Sequence, residues 1–114
     1  MKVCYIAHPV GGDVEGNLAK IRRIVREINL KHEDVTPFVP YYVDCVSMFD
    51  AIPEERARGF ANNKTLLQSG MVHELWLYGD RISAGMEIEI GWAKEKGIKI
   101  VSKSKDIILS PSII

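Results

Sequence analysis

Charge of one sign is what this chain lacks first. Fifteen basic residues balance fifteen acidic ones. No surplus of positive charge is left to neutralise phosphates, so a nucleic-acid polymer is not an expected partner. The same balance leaves little repulsion between copies and is compatible with self-association. Cysteine is scarce too. Cys4 and Cys45 are the only two, and their separation matches no metal-binding spacing. Cys4 lies in an apolar run and reads as a small buried hydrophobe, so neither a disulfide nor a catalytic thiol is expected. No cluster of His, Cys and Asp has ligand spacing, and no metal or other cofactor is implied. No apolar run approaches the roughly 20 residues that a membrane span needs. Met1-Lys2 leads straight into a strand-like run without a cleavage site. A cytoplasmic protein without a membrane partner is the expectation. Internal repeats and low-complexity stretches are absent as well.

What is present is a chain of 114 residues, 46% of them hydrophobic. That length and composition predict one domain, residues 1–114, with a real core. Lys2 to Ala7 is a short run of strand formers and predicts a first, central strand. His8-Pro9-Val10-Gly11-Gly12-Asp13 breaks it. Leu18, Ile21, Ile24 or Val25, and Ile28 then recur at helical steps, with Asp13 or Asn17 placed to cap the helix. A strand, a glycine loop and a helix N-terminus make a plausible anion seat. A plain tight turn fits the same residues, and neither the dinucleotide glycine fingerprint nor a P-loop is present. Val35 to Val39, with Pro37 inside it and Pro40 after it, predicts a short strand that ends early or lies near an edge. Tyr41-Tyr42-Val43-Asp44 reads as the loop after it, where aromatic rings could stack on a base or simply pack. Met48 to Pro53 predicts a loop or short turn. Pro53 opens a helix running to Gln68, closed by Gly70. Asn62-Asn63 within it are candidate readers of ligand hydroxyls.

The most organised stretch is Leu75 to Ala93, LWLYGDRISAGMEIEIGWA. An apolar strand gives way at Gly79-Asp80-Arg81, and a helix runs on from Ser83 to Lys96, with Gly97 in the C-terminal glycine position. Ligands of open parallel sheets bind where strand ends meet helix starts. Glu87 and Glu89 lie in the first turns of this helix, about 200° apart around its axis. One of them can face a pocket and the other then faces solvent. Ile98 to Val101 predicts another strand, Ile107-Ile108-Leu109 a further short strand or packing segment. The terminal isoleucines predict a tail packed on its own body or on a second subunit. The order β, α, β, α, β, α, β with right-handed crossovers predicts an α/β fold, a flavodoxin-like three-layer sandwich around a parallel sheet of four to five strands.

Tyr5-Ile6-Ala7-His8-Pro9 with Gly11-Gly12 and Asn17, then Ser83-Ala84-Gly85-Met86 and Glu89-Ile90-Gly91-Trp92-Ala93, resemble the nucleoside 2-deoxyribosyltransferase superfamily. The likeness leans toward its small nucleotide N-glycosidase branch and uncharacterised phage and bacterial relatives, and it covers nearly the whole chain in element order. The resemblance implies that Glu89 is a nucleophile attacking the anomeric carbon of a 2-deoxyribose and that Tyr5 stands beside it. A carboxylate suits this chemistry because C–N cleavage passes through an oxocarbenium-like state that it stabilises and then captures as a glycosyl ester. The resemblance also implies that His8, Pro9, Gly11, Gly12, Asn17, Ser83, Gly85 and Met86 hold the substrate. At Ser83, transferases of unphosphorylated nucleosides commonly carry an acid. A serine hydroxyl can bond to a 5′-phosphate that an aspartate would repel, which favours a nucleoside monophosphate. A small-molecule nucleotide or nucleoside is thus the expected partner, together with a second copy of the chain, since family members complete their sites across a subunit interface.

Two departures are visible. The family often has an aspartate in the helix before the Leu75 strand, assisting proton delivery to the leaving base, whereas Asn62-Asn63-Lys64-Thr65 stands here. The proton would then come from Asp44, Asp80 or water. The loop after the first strand is also one residue shorter than in the glycosidase branch. A nucleotide-binding or sensing module without chemistry is therefore the alternative reading, and an interaction protein with Glu89 as an ordinary helix residue is the third.

Overall fold

The computed structural model describes residues 1–113. Four parallel strands form one sheet in the order β2-β1-β3-β4: β1 (Lys2–Ala7), β2 (Val35–Phe38), β3 (Glu74–Leu77) and β4 (Lys99–Ser102). β1 is central and β2 lies at an edge, as the hydrophobic run and the two prolines predict. The register sets Tyr5 beside Phe38 and Leu75, and Ala7 beside Leu77. Side chains alternate between the faces. Cys4, Ile6, Val35 and Trp76 pack on one face against Ile28 and Ile24. Tyr5, Ala7, Leu75, Leu77 and Ile100 pack on the other with Tyr41, Leu67, Met86, Ile90 and Ala93. Both faces are covered, so β3 is a continuous buried run rather than an alternating one.

The helices are α1 (Val14–Lys31), α2 (Pro40–Ser47), α3 (Pro53–Leu67) and α4 (Ala84–Glu95). α1 starts where the Asp13 carboxylate accepts the Gly16 N–H at 3.1 Å. Asn17 does not cap it; its Nδ2 donates to the Val10 carbonyl at 2.9 Å and fastens the preceding loop. Ile24 and Val25 are both half-buried and serve different clusters. α4 is capped by Ser83, whose Oγ accepts the Met86 N–H at 3.2 Å, and closes with Gly97 at φ +67°.

One expectation is corrected, and one that was left open is decided for the packing segment. Tyr41-Tyr42-Val43-Asp44 is not a loop but part of α2. Pro40, read as the end of a strand, stands at the first helical position, where a fixed φ and a missing N–H cost nothing. The buried Tyr41 hydroxyl then anchors the helix by donating to the Ile6 carbonyl at 2.6 Å. Ile107-Ile108-Leu109 adds no fifth strand. Ile107 is buried, Ile108 is 87% exposed, and the Ser102 hydroxyl holds the Ile107 carbonyl at 2.7 Å instead of a ladder. In the tail, Ile113 packs against the larger cluster and the Ser112 carbonyl accepts from Lys94. Ile114 lies outside the described residues. Among the described residues no helix is long and apolar enough to cross a membrane.

Candidate active site

The carboxyl ends of β1 and β3 carry two loops that meet. Gly79 (φ +101°) passes so close to Pro9 that a Cβ there would stand 2.6 Å from the proline Cδ. Only glycine permits both that backbone conformation and that approach. Around this junction, and walled by α2, α3 and the start of α4, lies a cavity of about 810 Å³, within the range of small-molecule sites. A second groove, of about 580 Å³, runs beside β2 and α1, and neither carboxylate nor histidine lines it.

Glu89 is in the wall of the larger cavity and is only 7% exposed, whereas Glu87 on the opposite side of α4 is exposed. The helical offset separates the two acids as their spacing requires. Tyr5, fully buried at the middle of β1, donates its hydroxyl to Glu89 Oε2 at 2.5 Å. Burial pushes Glu89 up to about 7, against the lowering effect of that hydrogen bond. Burial, and next the Glu89 charge, hold Tyr5 well above the ordinary tyrosine value, so it stays a donor. Phe38 and Tyr41 pack on the Tyr5 ring at 6.2 and 5.9 Å and fix its orientation.

His8, also buried, places Nδ1 2.6 Å from the Pro9 carbonyl. A carbonyl only accepts, so Nδ1 carries the hydrogen and Nε2 keeps its lone pair. Burial lowers the His8 pKa, with the Pro9 bond opposing it.

Of the residues expected at the site, His8, Gly11, Ser83, Gly85, Met86 and Glu89 line the cavity, and Tyr5 reaches it through Glu89. Pro9 is buried against Gly79. Gly12 (φ +91°) and Asn17 shape the loop from behind. Ser83 uses its lone pair as a cap and retains a hydroxyl hydrogen. A Cβ on Gly85 would meet nothing nearer than Ser83 Oγ at 4.0 Å, so open space lies over the start of α4.

The structure adds Arg56, Phe60 and Arg81, which carried no site assignment in the sequence, and places Asn63, Tyr41 and Asp44, candidate ligand contacts or proton source in the sequence, in the same wall. Arg56, Phe60 and Asn63 come from one face of α3, with Arg56 over the Phe60 ring at 5.5 Å. Their three- and four-residue spacing is a helical signal, but the mixed composition of α3 concealed which side faces inward. Asn62 turns away and accepts from Arg58 at 3.1 Å. Tyr41, Asp44 and Arg81 also line the cavity, as do the acids Glu15, Asp50 and Glu55; Asp80 does not, and pairs with Arg81 at 3.0 Å. Among the described residues no group of three or more His, Cys, Asp and Glu could hold a metal ion. Cys4, buried and pushed up to about 11 chiefly by burial, and the half-buried Cys45 are both free thiols.

A family model described as a domain of unknown function, DUF7768, matches residues 2–103. The chain belongs to that family. No curated protein matches the chain. Among solved structures, the DUF7768 chain is similar to a 2-deoxyribosyltransferase from the psychrotolerant bacterium Bacillus psychrosaccharolyticus. The two are 19% identical, with a TM-score of 0.61 over 94% of this chain and 77% of the other. The likeness establishes a shared α/β fold, with the parallel sheet flanked by helices.

Proposed function

We propose that the chain cleaves, or transfers at, the N-glycosidic bond of a (deoxy)nucleoside 5′-monophosphate through Glu89. The observation that carries this reading is a buried carboxyl in a nucleotide-sized cavity, held by a tyrosine hydroxyl at 2.5 Å. In the first step a Glu89 oxygen attacks C1′, the C–N bond breaks, and the base departs with the bonding pair. Protonation of the base completes its release, and Asp44 or water is the available source. Water, or a second base, then attacks C1′ and frees Glu89 as the carboxylate. Tyr5 holds the attacking group in one rotamer. Its hydrogen bond favours the ionised carboxylate that burial opposes.

The start of α4, with its free N–H groups, the Ser83 hydroxyl and the Arg81 guanidinium, suits a 5′-phosphate. The fold shared with a 2-deoxyribosyltransferase supports a nucleoside-type ligand. A second copy of the chain belongs to this reading. Val46 and Phe49, 60% and 71% exposed, stand at the cavity mouth beside the exposed Val43 and Ile52. A partner subunit would cover this apolar rim. Light scattering should give at least a dimer, and a monomer at micromolar concentration would remove this part of the proposal.

The test is incubation with deoxynucleoside monophosphates and detection of free base. Base release that disappears in Glu89→Ala is expected. One observation favours a second reading, a nucleotide sensor without chemistry: where the resembled family often has an aspartate, α3 presents the neutral carboxamide of Asn63, and its acid at the cavity, Glu55, accepts the Phe49 N–H at 3.2 Å. Calorimetric binding with no base released would select that reading. Absence of both binding and release would sink the two together.

A further inference from the structure

Asn63 is an anomaly of the cavity wall. It lies on α3, is 8% exposed and faces the space that also holds Glu89. Its Oδ1 is shielded from solvent and has no hydrogen-bond donor among the described residues. No other side-chain oxygen or nitrogen stands in that position among them. Tyr5 donates to Glu89, Tyr41 to Ile6, His8 to Pro9, and Ser83 caps its helix. A buried acceptor without a donor is costly, and leucine would fill much the same space without that cost. The expense is rational where a ligand supplies the missing hydrogen.

We infer that Asn63 sets base specificity, its carboxamide pairing with the amino-bearing edge of a 6-aminopurine or 4-aminopyrimidine. This rests on the nucleotide reading above. The amide offers an acceptor and a donor side by side, and an exocyclic amine next to a ring nitrogen is its complement. The atom left without a partner is Oδ1, an acceptor, so the ligand group that satisfies it is a donor: an amine, not an oxo oxygen. The terminal torsion of asparagine is broad, and a modest turn brings Oδ1 to the ligand without moving α3. Asn63 touches the base and not the reacting C1′, so its effect falls on binding and discrimination.

Nucleotide pairs that differ only in amine against oxo test this. Calorimetry of the intact chain with dAMP against dIMP, and dCMP against dUMP, should favour the amine in at least one pair by tenfold or more. In Asn63→Leu that preference should vanish, while the thermal midpoint of the ligand-free protein rises. Asn63→Asp keeps an acceptor and should keep the amine preference. Equal binding of amine and oxo members by the unaltered chain, or a preference that survives in Asn63→Leu, overturns this inference alone. So does a fall in the ligand-free midpoint of Asn63→Leu, because the amide would then have a structural partner. Absence of binding by all four nucleotides overturns it together with the reading it rests on.

Discussion

At the scale of single residues, the proton on Glu89 decides most. Its value is raised from 4.5 to about 7 because burial disfavours the charge. The folded state therefore holds this proton more tightly than the unfolded chain does. The contribution to stability is present below pH 4.5 and is lost as pH rises through 7. Glu89→Gln should be the more stable protein at pH 8, by on the order of 3 kcal/mol, in urea unfolding. The same substitution should abolish base release, which in the unaltered chain should climb with pH through about 7 as the carboxylate forms. Tyr5→Phe removes the hydrogen bond that favours the ionised form, so its pH–rate limb should move to higher pH. The sequence separates Glu87 from Glu89 by helical geometry alone, and the resemblance selects the later one, which is the buried member of the pair. For Asn63 the sequence offers only a pair of candidate hydroxyl readers, with nothing to separate Asn63 from Asn62. Whether an amide finds a donor depends on neighbours from other elements, and α3 carries no alternation that marks its inner side.

At the scale of elements, the site hangs on a cap and a close approach. Ser83→Ala removes the acceptor for the Met86 N–H at the start of α4. It should lower stability by about 1 kcal/mol, read as a fall in the thermal midpoint. Gly79→Ala forces a side chain into a φ of +101° and against Pro9. A loss of about 1–3 kcal/mol is expected from such strain, with a wider separation of the two loops and weaker nucleotide binding. Strands and long helices were legible because period and punctuation agreed: β1, β3, α1, α3 and α4 fall where the apolar runs, caps and glycines put them. α2 was not. Pro40 is compatible with both a strand end and a helix start, and the choice is made by Tyr41 reaching the Ile6 carbonyl across 35 residues.

At the scale of the whole molecule, a second buried carboxylate works in the opposite sense. Glu74, on the face of the sheet away from the cavity clusters, accepts from Trp76 Nε1 and from Lys2, both at 2.9 Å. The Trp76 bond first, then Lys2, hold it below the ordinary value of 4.5. Its contribution is present above pH 4.5 and is lost as pH falls through its lowered value. Glu74→Gln should therefore flatten the acid limb of the stability profile and leave the limb near 7, which belongs to Glu89, in place. Chemical denaturation between pH 3 and 8 checks both limbs in one series. The α/β architecture was legible at this scale because right-handed crossovers leave few arrangements for alternating strands and helices. The cavity was legible only in location, as the loops after strand ends; its walls come from side chains on α2 and α3 whose inward faces the composition hides.

The two outermost strands bear on what the molecule avoids. β2 contains Pro37, which has no N–H to offer a neighbour, and β4 is four residues long, opening with Lys99 and followed by Lys103. Proline, brevity and lysine each discourage a foreign strand from docking. Copies of this chain thus have little means of merging their sheets into a continuous ribbon, and amyloid-like growth from the native state should be slow even in concentrated, uncharged solution.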